Sequence, residues 1–221
     1  MPAAKKAMTA NQKAYLEIKR QILDGELPEG APIRQDDIAQ GMGISKIPVR
    51  EALRRLESEG LVVITPNAGA TVVSLTIDDY IEMLDIRIAL ECRALELAVP
   101  NMASSDIRKA RELLDAYDRA MSQQEWSDLN MRFHACLYAP ADRPRLLAMI
   151  RATQDHMGRT LRMKISMVAE HGRSHAEHVH ILDACEKGDT DLAVSLLRKH
   201  IEQTRREVQG YFRHHLKETT T

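Results

Sequence analysis

Aromatic residues are scarce in this chain: they make up 4% of its 221 positions, with one Trp and two Phe, against 44% hydrophobic residues. A core made almost wholly of Leu, Ile, Val, Met and Ala favours helix packing over a sandwich or barrel. Cysteine is scarce too. Cys92, Cys136 and Cys185 lie far apart, without a CxxC pair, at apolar helical positions, and read as buried free thiols in a reducing cytosol. No apolar run approaches the roughly 18 residues of a membrane span, and the opening MPAAKKAMTANQ lacks the apolar stretch of a secretion signal. The expected location is therefore cytoplasmic. Excess positive charge is missing as well, since the formal net charge is −1, which excludes a generally basic coat. Any affinity for nucleic acid must come from local placement, and would lean on dimerisation to double the phosphate contacts. No low-complexity segment or internal repeat is present.

What is present is concentrated first in residues 45–60, SKIPVREALRRLESEG. Ser45 is a good N-cap, Pro48 sits in the first turn where a missing N–H costs little, and Gly60 supplies a left-handed stop. Val49, Leu53 and Leu56 recur at helical spacing and face a core, which leaves Lys46, Arg50 and Arg54 as one outward cationic stripe. Upstream, residues 36–40 with Met42 and Ile44 read as a short helix closed by Gly43. Helix, tight turn and second helix form a helix-turn-helix, whose second helix enters the major groove. Downstream, LVVI (61–64) and ATVVSL (70–75) are β-branched runs joined by TPNAG, a hairpin turning at Pro66, Asn67 and Gly69. A hairpin directly after such a helix is a wing, with its tip near phosphates or the minor groove.

These residues resemble a known family. DGELPEGAPI, DDIAQGMGISKIPVREALRRLESEGLV and TPNAGATV look like the GntR-type winged helix-turn-helix of bacterial transcription regulators. The resemblance implies base or phosphate contacts for Lys46 and Arg50 and close approach of Gly69 to the DNA backbone, with Ser45, Arg54 and Asn67 beside them and Arg34 as a further phosphate candidate. Lys46 departs from the commoner Arg of the family; lacking the bidentate fork, Lys suits phosphate contact better than base readout.

Before this stretch, residues 1–10 form a tail and 11–23 a first helix marked by Tyr15, Ile18, Ile22 and Leu23, with Gly25, Pro28, Gly30 and Pro32 breaking the chain into a loop. After it, 74–76 form a short linker and Thr76 with Asp79 opens a new helix in capping-box fashion. Periodicity then predicts helices over about 78–99, 105–123, 126–138, 145–170, 174–187 and 190–214, an antiparallel bundle. The first carries Ile81, Leu84, Ile88, Cys92, Leu95 and Val99 on one stripe. The expected class is mainly α: a winged helix-turn-helix of three helices plus a β-hairpin wing at 11–75, an all-helical effector-binding and dimerisation domain at 76–216, and a tail at 217–221.

The bundle's chemistry is a histidine set. Asn130 and His134 share a face at i, i+4, while His178 and His200 lie on two other helices, each histidine bordering an apolar stripe. Three inward imidazoles from three helices can converge on one cation, although nine histidines in one chain will also place some inward by chance. NMRFHACL and EHVHILDACEKGDTDLAVSLLRKHI resemble the FCD ligand-binding domain of FadR-type GntR regulators. That resemblance implies a divalent metal, zinc or similar, at Asn130, His134, His178 and His200. Asn130 stands where Asp is the family's usual residue; an amide oxygen carries no charge, so the cation is held less strongly and shows a more positive face to an anion. Asp128 is off register and cannot substitute.

Open positions on such a metal accept a carboxylate or sugar acid, with an Arg pairing its second oxygen. Arg87 matches a pocket Arg of the family; from periodicity alone it equally forms an exposed pair with Glu91. Arg159, Arg162 and His156 are looser effector candidates, His171, His175 and His180 surface or supporting residues, and Met149, Met157, Met163 and Met167 core filler. Together these point to a homodimeric, metabolite-responsive regulator that represses from a double-stranded DNA operator, and not to an enzyme. Two alternatives are a mononuclear metal enzyme fused to a DNA-binding module, and an architectural DNA-binding protein with a structural bundle.

Overall fold

The computed structural model describes residues 8–66, 68–156 and 171–218, without the side chains of residues 77, 171 and 211–218. The chain forms two compact units, one of residues up to Leu75 and one beginning at Thr76.

In the first unit, α1 (Ala10–Leu23) starts at a capping box: Gln12 N–H donates to Thr9 Oγ1 at 3.2 Å and Thr9 N–H to Gln12 Oε1 at 3.0 Å. The helix buries Ala14, Tyr15, Ile18 and Ile22 against α3 (Lys46–Ser58). Between them, α2 (Gln35–Met42) ends at Gly43, whose φ of 64° is the left-handed conformation that releases the chain into the turn. Val49, Ala52, Leu53 and Leu56 of α3 are fully buried in this core. Ser45 holds the N-cap position but makes no side-chain cap bond, contrary to expectation. One of its two usual partners is missing: an N-cap hydroxyl reaches for the N–H of N2 or N3, and N3 here is Pro48, which has none.

The wing is wider than a hairpin. Strands β2 (Val62–Thr65) and β3 (Gly69–Val72) pair antiparallel, and β1 (Pro32–Ile33) adds to the other edge of β3, giving the order β1-β3-β2. The segment read as loop thus contributes a strand. Two residues have no period to detect, and the neighbouring Gly and Pro residues read as breakers.

The second unit is all helical. Thr76 and Asp79 form the capping box of α4 (Ile77–Ala98), which a 3₁₀ turn extends through Val99–Asn101. Then come α5 (Ser104–Arg119), α6 (Gln123–Tyr138), a 3₁₀ turn at Ala139–Ala141, α7 (Pro144–His156), α8 (His171–Glu186) and α9 (Thr190–Glu218). The end of α5 falls at Arg119 rather than 123 because Ala120 turns extended, its carbonyl accepting from Trp126 Nε1 at 2.9 Å. Ser122 caps α6, which starts at Gln123, three residues before the expected 126. Helix α4 is central, packing on α9, α7 and α6, while α8 bridges α5 and α9. Its predicted stripe faces inward, with Leu84, Ile88, Cys92, Leu95 and Val99 buried.

Two smaller expectations change. Cys92 and Cys185 are buried free thiols, but Cys136 is partly exposed. Met149 is 57% exposed and fills no core, because Ile150 and Gln154 take the inward positions of α7; Met157, Met163 and Met167 lie outside the described residues. No helix among the described residues is long and apolar enough to cross a membrane.

Candidate functional sites

On the first unit, the outward face of α3 carries Lys46, Arg50 and Arg54, all exposed, as the spacing implied. Lys46 is already engaged: its Nζ lies 2.6 Å from Asp36 Oδ1 at the start of α2, with both side chains largely in solvent. Arg34 is exposed at the N-cap position of α2 and lines an open groove against α1. Gly69 opens β3 with φ 95°, a conformation that a side chain would strain. Asn67 lies outside the described residues.

In the second unit, α6, α8 and α9 bring His134, His178 and His200 together. They are 1%, 0% and 7% exposed. Ring centroids lie 5.0 Å apart for His134 and His178, 4.6 Å for His178 and His200, and 5.5 Å for His134 and His200. One ring nitrogen from each falls within 4.8 Å of the others. Phe133 closes one side, its ring 5.4 Å from that of His134 and 5.0 Å from that of His178.

Hydrogen bonds behind the rings decide which nitrogens face inward. Arg87 Nε and Nη2 donate to the two oxygens of Glu91 at 2.7 and 3.2 Å. That carboxylate can only accept, so the Tyr138 hydroxyl donates to Glu91 Oε2 at 2.8 Å. The Tyr138 oxygen must then accept from His134 Nδ1–H, 3.1 Å away, which leaves the lone pair of His134 on Nε2. Likewise His200 Nδ1–H donates to Glu177 Oε2 at 2.7 Å, and Glu177 is also held by Arg173, a side chain shared with Glu207. In the neutral form of His200 this leaves the lone pair on Nε2, 3.2 Å from His178 Nε2.

Three buried polar atoms of these residues have no protein partner: His134 Nε2, His178 Nδ1 and, one turn before His134, Asn130 Oδ1. Burial, then the nearby His200, pushes the His134 and His178 imidazoles well below their ordinary pKa, so both are neutral and keep a lone pair. Burial and the adjoining Glu91 raise the Tyr138 hydroxyl, which stays protonated as the chain of donors requires. Neutral imidazoles and an amide oxygen, desolvated and unsatisfied, suit a borderline first-row divalent cation. The residues present fit such an ion.

Arg87 does pair with Glu91, but not on the surface. The two side chains are 11% and 0% exposed, and Glu91 outweighs the burial that would otherwise weaken the guanidinium's hold on its proton. Arg159 and Arg162 lie outside the described residues. His156 is half-buried in the last turn of α7. His180 is exposed, and His175 stacks on Tyr117 with Nδ1 3.8 Å from Asp118. Sequence reasoning missed Tyr138 and Glu177. The former was signalled only by its i+4 spacing from His134, the latter by nothing beyond adjacency to His178.

Comparison with known proteins accounts for both units. Residues 10–72 match the family model described as bacterial regulatory proteins, gntR family, and residues 82–203 match the FCD domain. A probable D-xylose utilization operon transcriptional repressor of Paenarthrobacter nicotinovorans is 31% identical over 186 residues, covering 83% of this chain and 82% of that one. The HTH-type transcriptional regulator McbR of Escherichia coli K12 is 30% identical over 175 residues, covering 77% and 79%. Among solved structures, E. coli McbR/YncC superposes with a TM-score of 0.76 at 25% identity, over 93% of this chain and all of that one. A GntR family member from Pseudomonas syringae pv. tomato gives 0.59 at 27% identity, over 97% and 92%. The curated relatives are transcription regulators. With both units matched in order, this chain belongs to the GntR family of bacterial transcription regulators, in the FadR-type subgroup that carries an FCD domain.

Proposed function

We propose that the protein is a cytoplasmic, homodimeric repressor whose helical domain, residues 76–216, senses a small organic acid through a divalent metal, and whose winged domain, residues 11–75, holds a two-fold operator. The observation that carries the sensing half is the set of buried, unpartnered donor atoms at Asn130, His134 and His178 beside His200. Unsatisfied polar atoms at this depth are costly unless something completes them.

Asn130, His134, His178 and His200 would hold the ion. Bound there, a divalent cation supplies open positions that take a carboxylate or sugar acid. The chain's own groups do the rest: Tyr138 and Glu177 orient two of the rings, and Arg87 carries positive charge at the inner wall. On the other domain, Lys46, Arg50 and Arg54 of α3 meet the major groove, with Ser45, Arg34 and the wing tip at Asn67 and Gly69 on the phosphates. Effector binding changes DNA affinity only if it favours one arrangement of the paired winged domains over another.

The test has two arms. Metal content of purified protein is measured by elemental analysis before and after replacing His134 and His178 together by Ala; full stoichiometry surviving the double replacement refutes the site. Operator retardation is measured with a panel of carboxylates and sugar acids, with and without chelator. A bundle with no sensing role leaves DNA affinity unchanged by every acid in the panel.

A further inference from the structure

The donor set around the three histidines contains no negative charge. Among the described residues, the group of side chains that could share an ion consists of His134, His178 and His200, with no carboxylate among them. The third unpartnered atom, Asn130 Oδ1, is an amide oxygen one turn before His134 on the same helix. Two carboxylates do reach the cluster, but from behind. Glu91 acts through Tyr138 on His134 Nδ1, and Glu177 acts on His200 Nδ1. Each is also tied to a guanidinium, Glu91 to Arg87 and Glu177 to Arg173. Neither is free to turn inward and serve as a ligand without breaking an ion pair, and the Glu91 pair is buried.

A dication at this buried cluster therefore keeps its whole charge at the point of ligation. Uncompensated charge is poorly tolerated in a buried site, and it is relieved when an anion joins it. The anion in turn finds little to hold it without the cation, since the nearby Arg87 guanidinium is already matched by Glu91.

Resting on the metal-site reading above, we propose that Asn130 makes cation and anion co-ligands of this cluster: each is held tightly only in the presence of the other. By linkage, the factor by which a carboxylate raises metal affinity equals the factor by which the metal raises carboxylate affinity. The ligand class follows from the charge. The metal-loaded cluster takes anions, carboxylates among them, and rejects neutral sugars and alcohols, which cannot offset the cation. Such a sensor answers to the coincidence of metal and organic acid, not to the acid alone.

The experiment uses the full chain stripped of metal. Zinc affinity is measured by equilibrium dialysis in millimolar acetate and, at matched ionic strength, in perchlorate, which coordinates metals poorly. Acetate is expected to tighten zinc binding by at least about tenfold, within the usual range of coupling between sites. Acetate binding, followed by calorimetry, should strengthen by the same factor when zinc is present. An Asn130→Asp protein carries the missing charge and should hold zinc tightly in perchlorate, with the acetate effect cut to a small fraction. Zinc that binds the native chain equally well in both media overturns the inference and leaves the metal reading standing. So does an Asn130→Asp protein with an undiminished acetate effect. Zinc that fails to bind in either medium overturns the metal reading, and this inference with it. The native-chain comparison decides the matter even where the variant does not fold.

Discussion

The Tyr138 hydroxyl donates to Glu91 across 2.8 Å, and this one bond fixes the tautomer of His134 a turn away. A tyrosine on α6 and a glutamate on α4 thereby settle which imidazole nitrogen points into the cluster. Partners of this kind behind metal-binding histidines are worth about 10- to 100-fold in metal affinity. Tyr138→Phe should weaken zinc binding by about that factor while leaving the helical circular-dichroism signal intact. Equal zinc affinities in the two proteins would show that Tyr138 orients nothing.

Glu91 serves two partners, Arg87 and Tyr138, at full burial. Removing one partner of a buried ion pair strands the other, at a cost of about 3–5 kcal/mol. Glu91→Ala should lose about that much stability in urea unfolding, whereas Arg87→Met with Glu91→Leu should recover most of it. The recovery should not extend to metal uptake, because Tyr138 then has no acceptor and His134 loses its fixed tautomer. A double variant that regains both would separate the ion pair from the site.

The depressed imidazoles make stability depend on pH in a definite direction. His134 and His178 are neutral in the folded protein and protonate below their ordinary range, whereas the unfolded chain takes up those protons near 6.5. As pH falls through that value the unfolded state binds more protons, so folded stability declines. Each group contributes up to about 1.4 kcal/mol per pH unit between its unfolded and folded pKa values. Urea midpoints of the metal-free protein should fall from pH 7 toward pH 5 and flatten above neutrality, and His134→Gln should reduce the slope.

If α3 meets DNA as proposed, the bond from Lys46 to Asp36 competes with phosphate. Exposed pairs of this kind contribute little, so Asp36→Asn should tighten operator binding by only about two- to fivefold, most clearly at low salt. Arg50→Ala should act oppositely, lowering the slope of log affinity against log salt by about 0.9 for each phosphate that the arginine had neutralised. Retardation at several salt concentrations reads both.

How much of this was legible in the chain differs by element. Helix α3 could be read in full because Val49, Leu53 and Leu56 keep the 3.6-residue period and Gly60 ends it, and α4 could be read for the same reason. Strand β1 could not, since two residues paired to a distant strand leave no local trace. The convergence of His134, His178 and His200 was suggested by their places on apolar faces; their separation was not, because helix crossing geometry is set by packing. The inner wall was hidden most completely. Arg87 and Glu91 at i, i+4 look like any solvated pair, and only the fold shows that this face of α4 is covered. Ser45 illustrates the reverse: Pro48, in plain view three positions on, removes one of the two N–H groups that its side chain could cap.

The short strand β1 has a mechanical consequence. Val72 N–H donates to Ala31 O at 2.9 Å, and Gly30 N–H donates to Val72 O at 3.0 Å, so the inner leg of the wing is stitched to the chain just ahead of α2. The hairpin cannot swing without peeling away the lead-in to the helix-turn-helix. That freedom is surrendered once, during folding, so a duplex approaching the proposed face of α3 would find the two strands of the wing already in place.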